Sequence, residues 1–323
     1  MTTRFVVCGE TLIDLIQADE QPDGFVSSTW SAMSAGGPMN SAVALGDLGA
    51  DVHFLGRLSR DAFGVQLRGH IEGAGVALDL ATESSQATSL AVVSLDADGK
   101  ASYTFHFSDT ANFGWEEADL PTLAQDDWLH IASLACVVSP GSDVLLDWAH
   151  GVTAGISYDI NVRPTVITDP EEYWAKVRPW LRVVGQHKGI LKASDEDVEF
   201  LSQVESPGAE PVEALADWVT KYGIGLGVVT LGPGGAVAVG PDGSQTSVAG
   251  FPTTVVDTVG AGDTFMAGFL DGYVGRRLDL ETSLVRGAAA ASIVCSRRGA
   301  QPPSSAEVDA LIAERGTTTV SST

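Results

Sequence analysis

Short apolar runs alternate along this chain with longer stretches of helical composition. Residues 5–9, 52–56, 128–132, 155–159, 189–192 and 227–231 read as strands, each four or five residues of mostly β-branched or aliphatic character. Between them, residues 143–150, 196–201 and 212–222 carry helix-forming composition. Alternation at this spacing predicts an α/β protein whose mostly parallel sheet is covered on both faces.

Two regions break the alternation. Residues 12–30 and 88–107 follow a period of two, and the second contains the turn Asp96-Ala-Asp-Gly99 between two strand-like runs. That arrangement predicts a hairpin. Exposed strands need something to pack against, so residues of about 12–35 and 86–112 are expected to form a small sheet lying over the main domain as a lid. A sheet with one bare apolar face favours self-association, which makes a homodimer through the lid the expected assembly. Residues 1–315 are read as one domain. The polar, low-complexity stretch 316–323 is expected to be disordered.

Composition narrows the partners. With 323 residues, 44% of them hydrophobic, the chain can bury a large core. A formal net charge of −24 repels phosphate backbones and anionic membranes, so neither nucleic acid nor membrane is an expected partner. Cys8, Cys136 and Cys295 lie far apart in apolar runs and form no metal-binding pattern. The N-terminal residues carry no signal-peptide pattern and no run of some 18 apolar residues occurs, so the expected location is the cytoplasm.

The chemistry concentrates in Asp257-Thr-Val-Gly-Ala-Gly-Asp263, followed by Met266, Phe269, Leu270 and Tyr273 at helical spacing. A Gly260-Ala261-Gly262 turn entering a helix gathers free N–H groups at the positive end of the helix dipole, an anion hole suited to a phosphoryl group in transfer. Asp263 at the helix mouth is placed to accept a proton from an attacking hydroxyl. Near the N-terminus, Gly36-Gly37-Pro38-Met39-Asn40 opens a second predicted helix through Val43, Ala44 and Leu48, ending at Gly49. Its glycines permit close backbone approach, and the Asn40 amide offers a donor and an acceptor to a polyol.

These two motifs, in this order, resemble the paired signatures of the ribokinase-like (PfkB) carbohydrate kinases, and in finer detail the fructokinases. The resemblance implies a ribokinase-like three-layer fold with a β-sheet lid, and an ATP-dependent kinase phosphorylating a small sugar. It assigns Asp263, with Gly260, Ala261 and Gly262, to catalysis. Sugar contacts fall to Asp14, Gly36, Gly37 and Asn40. Thr230, Gly232 and Gly235 resemble the family's nucleotide-binding strand end, and Asp257, Val259 and Gly299 its potassium loop. The expected cofactors are ATP, Mg²⁺ and K⁺. Where the family carries Asn-x-x-Glu for magnesium, this chain has Lys192-Ala-Ser-Asp195-Glu196-Asp197. Lys192 is accordingly assigned to the nucleotide side, and the magnesium carboxylate is sought among Asp195, Glu196 and Asp197, with Asp195 in the matching place. Asp159-Ile-Asn-Val-Arg163-Pro resembles a run of fructokinases and ketodeoxygluconate kinases, where Arg163 serves the γ-phosphate or an acidic sugar. The fructokinase Arg after the aromatic is missing from Tyr103-Thr-Phe-His-Phe107, leaving His106 or Phe107 to line the sugar pocket.

Other chemistries lack their motifs. No Gly-x-x-x-x-Gly-Lys-Ser/Thr, dinucleotide fingerprint or Gly-x-Ser-x-Gly elbow is present. Fructose is the expected acceptor, with ribose, 2-keto-3-deoxygluconate or a nucleoside as alternatives, and a non-catalytic sugar sensor on the same fold as the reading from another class.

Overall fold

The computed structural model describes residues 3–18, 26–95 and 101–320, with the side chains of 95, 101–103 and 316–320 outside the description. In chain order, the strands that matter here are β1 (Arg4–Cys8), β2 (Leu12–Gln17), β3 (Trp30–Ala35), β4 (Asp51–Leu55), β5 (Arg57–Ser59), β6 (Thr82–Ser84), β7 (Ser89–Leu95), β8 (Ala101–His106), β9 (Trp128–Ala132), β10 (Gly155–Asp159), β11 (Ile190–Ser194), β12 (Leu226–Thr230), β13 (Ala236–Val239) and β14 (Gln245–Val248). The helices are α1 (Gly37–Asp47), α2 (Ala62–Gly73), α3 (Gly141–Gly151), α4 (Pro170–Gln186), α5 (Asp195–Glu205), α6 (Pro211–Tyr222), α7 (Ala261–Leu270), α8 (Leu280–Cys295) and α9 (Ser305–Val320).

Eight strands form the main sheet in the order β14-β13-β12-β11-β10-β9-β1-β4. The six from β12 to β4 pair in parallel, and β13 and β14 add antiparallel strands at one edge. Strand alternation sorts the core into two layers. Val6 and Cys8 of β1 point into one cluster with Leu145 (α3), Trp180 (α4), Leu201 (α5) and Trp218 (α6). Phe5 and Val7 point the other way, toward Leu45 (α1), Ile71 (α2), Phe269 (α7), Leu284 (α8) and Val308 (α9). Helices on both faces of a largely parallel sheet give the expected three layers.

A four-stranded sheet, ordered β3-β2-β7-β8, lies apart from the main one. It is the lid read from the period-two regions, with β7 and β8 antiparallel as a hairpin demands. The turn at 96–99 lies outside the described residues. One register row crosses all four strands: Met33, Asp14, Ala91 and Phe105 are successive partners and share a face.

Chain order reverses at β1, which continues to β4 on one side while β9 through β12 build outward on the other. In open α/β sheets the crevice beyond the carboxyl ends at such a reversal is where ligands bind. Glu10 follows β1 there, Ser133 follows β9, and Asn161 and Arg163 follow β10.

Helix α9 closes the described chain at Val320. Ser304 starts that helix by accepting from the Glu307 amide while Glu307 accepts from the Ser304 amide. Once a helix is nucleated, each added residue gains a hydrogen bond. Residues 321–323 lie outside the described residues.

Candidate active site

A cavity of about 400 Å³ occupies the crevice between the lid and the carboxyl ends of the main sheet. Asp14, Gly36, Gly37, Asn40, Arg163, Val259, Gly260, Ala261, Gly262 and Asp263 all line it. Ten residues named from the sequence, spread over some 250 positions, thus line one cavity.

Asp263 sits in the first turn of α7 and is buried. Gly260, the N-cap, adopts a left-handed φ of 76°, and a Cβ there would approach Ala300 Cβ to 2.7 Å, so both conformation and packing require glycine. The Ala261 amide turns back to the Thr258 carbonyl at 3.2 Å. Helical geometry leaves the Gly262 and Asp263 amides without an intrahelical acceptor, at the positive end of the α7 dipole. Both Asp263 oxygens accept side-chain amides: Asn40 Nδ2 donates to Oδ2 at 2.9 Å and Asn161 Nδ2 to Oδ1 at 3.3 Å. Burial pushes the Asp263 carboxyl above the usual carboxylate range, opposed by the Asn40 hydrogen bond and by Lys192 and Arg163.

Gly36 and Gly37 are explained by close approach. A Cβ on Gly36 would meet the Glu10 carbonyl at 2.6 Å, and one on Gly37 would meet Asn161 Nδ2 at 2.8 Å and Asp263 Oδ1 at 3.3 Å. The α1 N-terminus can therefore seat against the Asp263 carboxylate only with no side chain at 37.

Three carboxylates face the cavity around one guanidinium. Burial raises Asp14 to about 6, with Arg163 opposing the rise. Glu10 is pushed up to about 7 by burial, although the Leu134 and Ala135 amides donate to it at 3.4 and 3.0 Å. Arg163 Nη1 donates to the Asn161 side-chain oxygen at 2.5 Å, and its backbone amide donates to the Tyr173 hydroxyl at 3.1 Å.

Several assignments resolve differently from expectation. Phe107 does not line the cavity; it packs edge-on against Phe113 with ring centroids 5.4 Å apart. Phe105 lines it instead, because it shares the register row of Asp14 and Ala91, whereas His106 pairs with Leu90 on the opposite face. Asp197 is occupied in holding backbone: Val162 N donates to it at 2.7 Å and Ser194 N at 2.8 Å, in a capping box that starts α5. Of the acidic trio, Asp195 and Glu196 lie half-buried and exposed at the helix start. Lys192 is buried, with Nζ 2.8 Å from Asp159 Oδ2, and a Cβ on Gly262 would come within 2.9 Å of it. Its ammonium thus lies directly beneath the glycine turn, kept charged by Asp159, Asp197 and Asp263 against the opposing effect of burial. Thr230 ends β12, and Gly232 and Gly235 follow it; none of the three borders the cavity. Asp257 joins the two segments named for potassium: its carboxylate accepts from Gly299 N at 2.8 Å and from Val259 N at 3.1 Å.

Asn161, Glu10, Ser133 and Phe105 belong to the cavity and were not singled out as site residues. Asn161 carried a signal, lying within the Asp159–Arg163 run and taking a left-handed φ of 47° in the fold.

Residues 2–307 match the pfkB family carbohydrate kinase model. The chain belongs to the PfkB family of carbohydrate kinases. Relatives of this PfkB chain include the fructokinase of Klebsiella pneumoniae, 30% identical over 84% of this chain and 85% of the relative, and that of Rhizobium leguminosarum bv. trifolii, 33% identical over 81% and 77%. Among solved structures, a double mutant of the fructokinase of Vibrio cholerae O395, in a fructose-, ADP- and potassium-bound form, superposes with a TM-score of 0.80 at 26% identity, covering 96% of this chain and 98% of that one. The PfkB fold is shared as well with the fructokinase of Xylella fastidiosa with bound ATP, at a TM-score of 0.83 and 24% identity over 98% of this chain and 100% of that one. A PfkB member is a carbohydrate kinase, so this chain is an ATP-dependent sugar kinase. Among the described residues, no helix is long and apolar enough to cross a membrane.

Proposed function

We propose that this kinase is a fructokinase that moves the γ-phosphoryl group of ATP to a hydroxyl of fructose, with Asp263 as the base. The observation that carries the reading is Asp263 itself: a buried carboxylate at the mouth of α7, oriented by two amides and bordering the sugar-sized cavity. The fructokinase relatives, and the fructose- and ADP-bound form of the Vibrio cholerae protein, favour this acceptor.

In this mechanism the sugar lies between the lid and the sheet, with Asp14 accepting from its hydroxyls and Phe105, Ala91 and Leu12 covering its apolar edge. Asp263 takes the proton of the attacking hydroxyl, and the Gly262 and Asp263 amides receive the charge that develops on the phosphoryl oxygens. Lys192, beneath the same turn, adds fixed positive charge at that point. Lid closure excludes water, a competing acceptor. The nucleotide occupies the Thr230–Gly235 side. The loop tied by Asp257 to Gly299 and Val259 would hold a monovalent cation through its backbone carbonyls, and a bound K⁺ would add positive charge beside the anion hole. Magnesium would enter with the nucleotide, with Asp195 at the start of α5 as the proposed carboxylate; no group of three metal-ligating side chains occurs among the described residues, which suits an ion held chiefly by phosphates and water. The partner surface proposed for a homodimer is the lid, where Ile16 and Met33 are exposed. The cytoplasm, where ATP is made, is the fitting compartment.

The charge around the cavity argues against an acidic sugar. Glu10, Asp14 and Asp263 face a single guanidinium, and that one already donates to Asn161. An ADP-release assay with fructose, ribose, 2-keto-3-deoxygluconate and adenosine as acceptors tests the proposal. Preferred turnover of fructose supports it; preferred turnover of the acid or the nucleoside refutes it.

A further inference from the structure

The Asn161 backbone is left-handed at φ 47°, a conformation that asparagine enters more readily than other non-glycine residues. Three contacts hold it here. The adjacent Val162 amide donates to Asp197 Oδ1 at 2.7 Å, which fastens the loop to the start of α5. The Arg163 amide donates to the Tyr173 hydroxyl at 3.1 Å, fastening it to α4. Arg163 Nη1 donates to Asn161 Oδ1 at 2.5 Å, which fixes the amide orientation so that Nδ2 is the atom turned toward Asp263. That nitrogen lies 3.3 Å from Asp263 Oδ1, while Asn40 Nδ2 is 2.9 Å from Oδ2. Gly37 leaves room for the approach, since its Cβ would stand 2.8 Å from the Asn161 nitrogen.

We infer that Asn161 is a positioning residue for the catalytic base: a three-point-anchored loop delivers its amide to one Asp263 oxygen while Asn40 holds the other, fixing the plane of the carboxylate. A carboxylate held at one oxygen alone can rotate about its Cβ–Cγ bond; held at both, it keeps one lone pair directed at the hydroxyl it must deprotonate. The anchoring explains why left-handed backbone is retained at 161, because relaxing it would swing the amide off Asp263. This inference rests on the proposal that Asp263 is the base.

Asn161→Gly is the informative variant, because glycine accepts the left-handed backbone and removes only the amide. The charged groups around Asp263 are Lys192 on β11, Asp159 on β10, Asp197 on α5, Glu10 and Asp14 across the cavity, and Arg163, which loses the Asn161 side-chain oxygen but keeps the 161 and 162 carbonyls as acceptors. The expected result is an unchanged melting temperature, a kcat lowered by roughly 10²-fold as for a misplaced reacting group, a KM for sugar close to that of the unaltered protein, and an acidic limb of the kcat–pH profile displaced upward, since a donor to the charged carboxylate is gone. Asn161→Asp, which sets a second carboxylate beside the first, should displace that limb further. An unaltered kcat in Asn161→Gly overturns the inference, and so does a lower kcat with an unmoved acidic limb, which would make Asn161 a sugar contact. Asp263→Asn assayed in parallel separates the two layers. Full turnover by that variant removes Asp263 as the base, whereas failure confined to the Asn161 expectations leaves the kinase assignment standing.

Discussion

Asn40 Nδ2 donates to Asp263 Oδ2 at 2.9 Å, joining residues 223 positions apart and tying the first helix of the chain to the seventh. The two family signatures are therefore one structure: α1 brings an amide and a bare Gly37 backbone, and α7 brings the carboxylate they confine. Asn40 Oδ1 is buried without a hydrogen-bond partner among the described residues, so the amide has an unspent acceptor inside the site.

Replacing Asn40 by Ala removes the closer of the two amide donors. The Asp263 carboxyl, already raised by burial, should rise further, and kcat should fall by about 10²-fold or more at neutral pH. Activity should recover in part at higher pH, where the base is ionised again. A kcat–pH profile measured from pH 5 to pH 9 on the variant and the parent checks both the size and the direction.

Glu10 gives a stability prediction with a definite sign. Its folded-state value of about 7 lies above the ordinary 4.5, because burial disfavours its charge. A raised carboxyl contributes stability that is fully present below pH 4.5 and is lost as pH rises through 7. Glu10→Gln lacks that penalty, so relative to the parent it should gain stability between pH 5 and pH 8. The ceiling on the gain is about 3 kcal/mol from the size of the shift, reduced by the weaker acceptance of the Leu134 and Ala135 amides. Urea unfolding of both proteins at the two pH values measures it.

Phe105 and Phe107 should separate cleanly. Phe105→Ala opens the lid face of the cavity and should raise the KM for sugar about tenfold, with a small change in stability. Phe107→Ala loses its edge-on contact with Phe113 and should lower stability by about 2–3 kcal/mol while leaving KM near the parent value. Steady-state kinetics and thermal unfolding on the pair distinguish the roles.

Lys192 and Asp159 form an ion pair inside the protein, with side chains 3% and 0% exposed. Lys192→Met strands the buried Asp159 charge and should cost about 3–5 kcal/mol, whereas the double replacement Lys192→Met with Asp159→Leu should recover most of that loss. Denaturant midpoints for the single and double variants decide it.

The sheet was readable from sequence because a strand buried on both faces is a mostly apolar run, as in residues 128–132, which match an observed strand. Asp263 and Asn40 were readable because each sits in a contiguous run of glycines at a helix start, where backbone demands show in composition. Phe105 was not, since which of two neighbouring aromatics faces the cavity depends on the pairing of Ala91 with both Asp14 and Phe105, a register that spacing along one strand leaves open. Nor was the part played by Asn161, whose partner lies 102 residues away and whose conformation is imposed by Asp197 and Tyr173. The acidic trio after β11 looked alike in sequence; only folding assigns Asp197 to the Val162 and Ser194 amides.

The central claim is that Asp263 takes the proton during phosphoryl transfer. The direct test is Asp263→Asn, with single-turnover ADP release measured beside calorimetric binding of fructose. Asparagine keeps the shape and the burial but cannot accept the proton. The account predicts sugar binding close to that of the parent with a rate at least about 10²-fold lower. A variant that binds fructose and turns it over at the parent rate contradicts it.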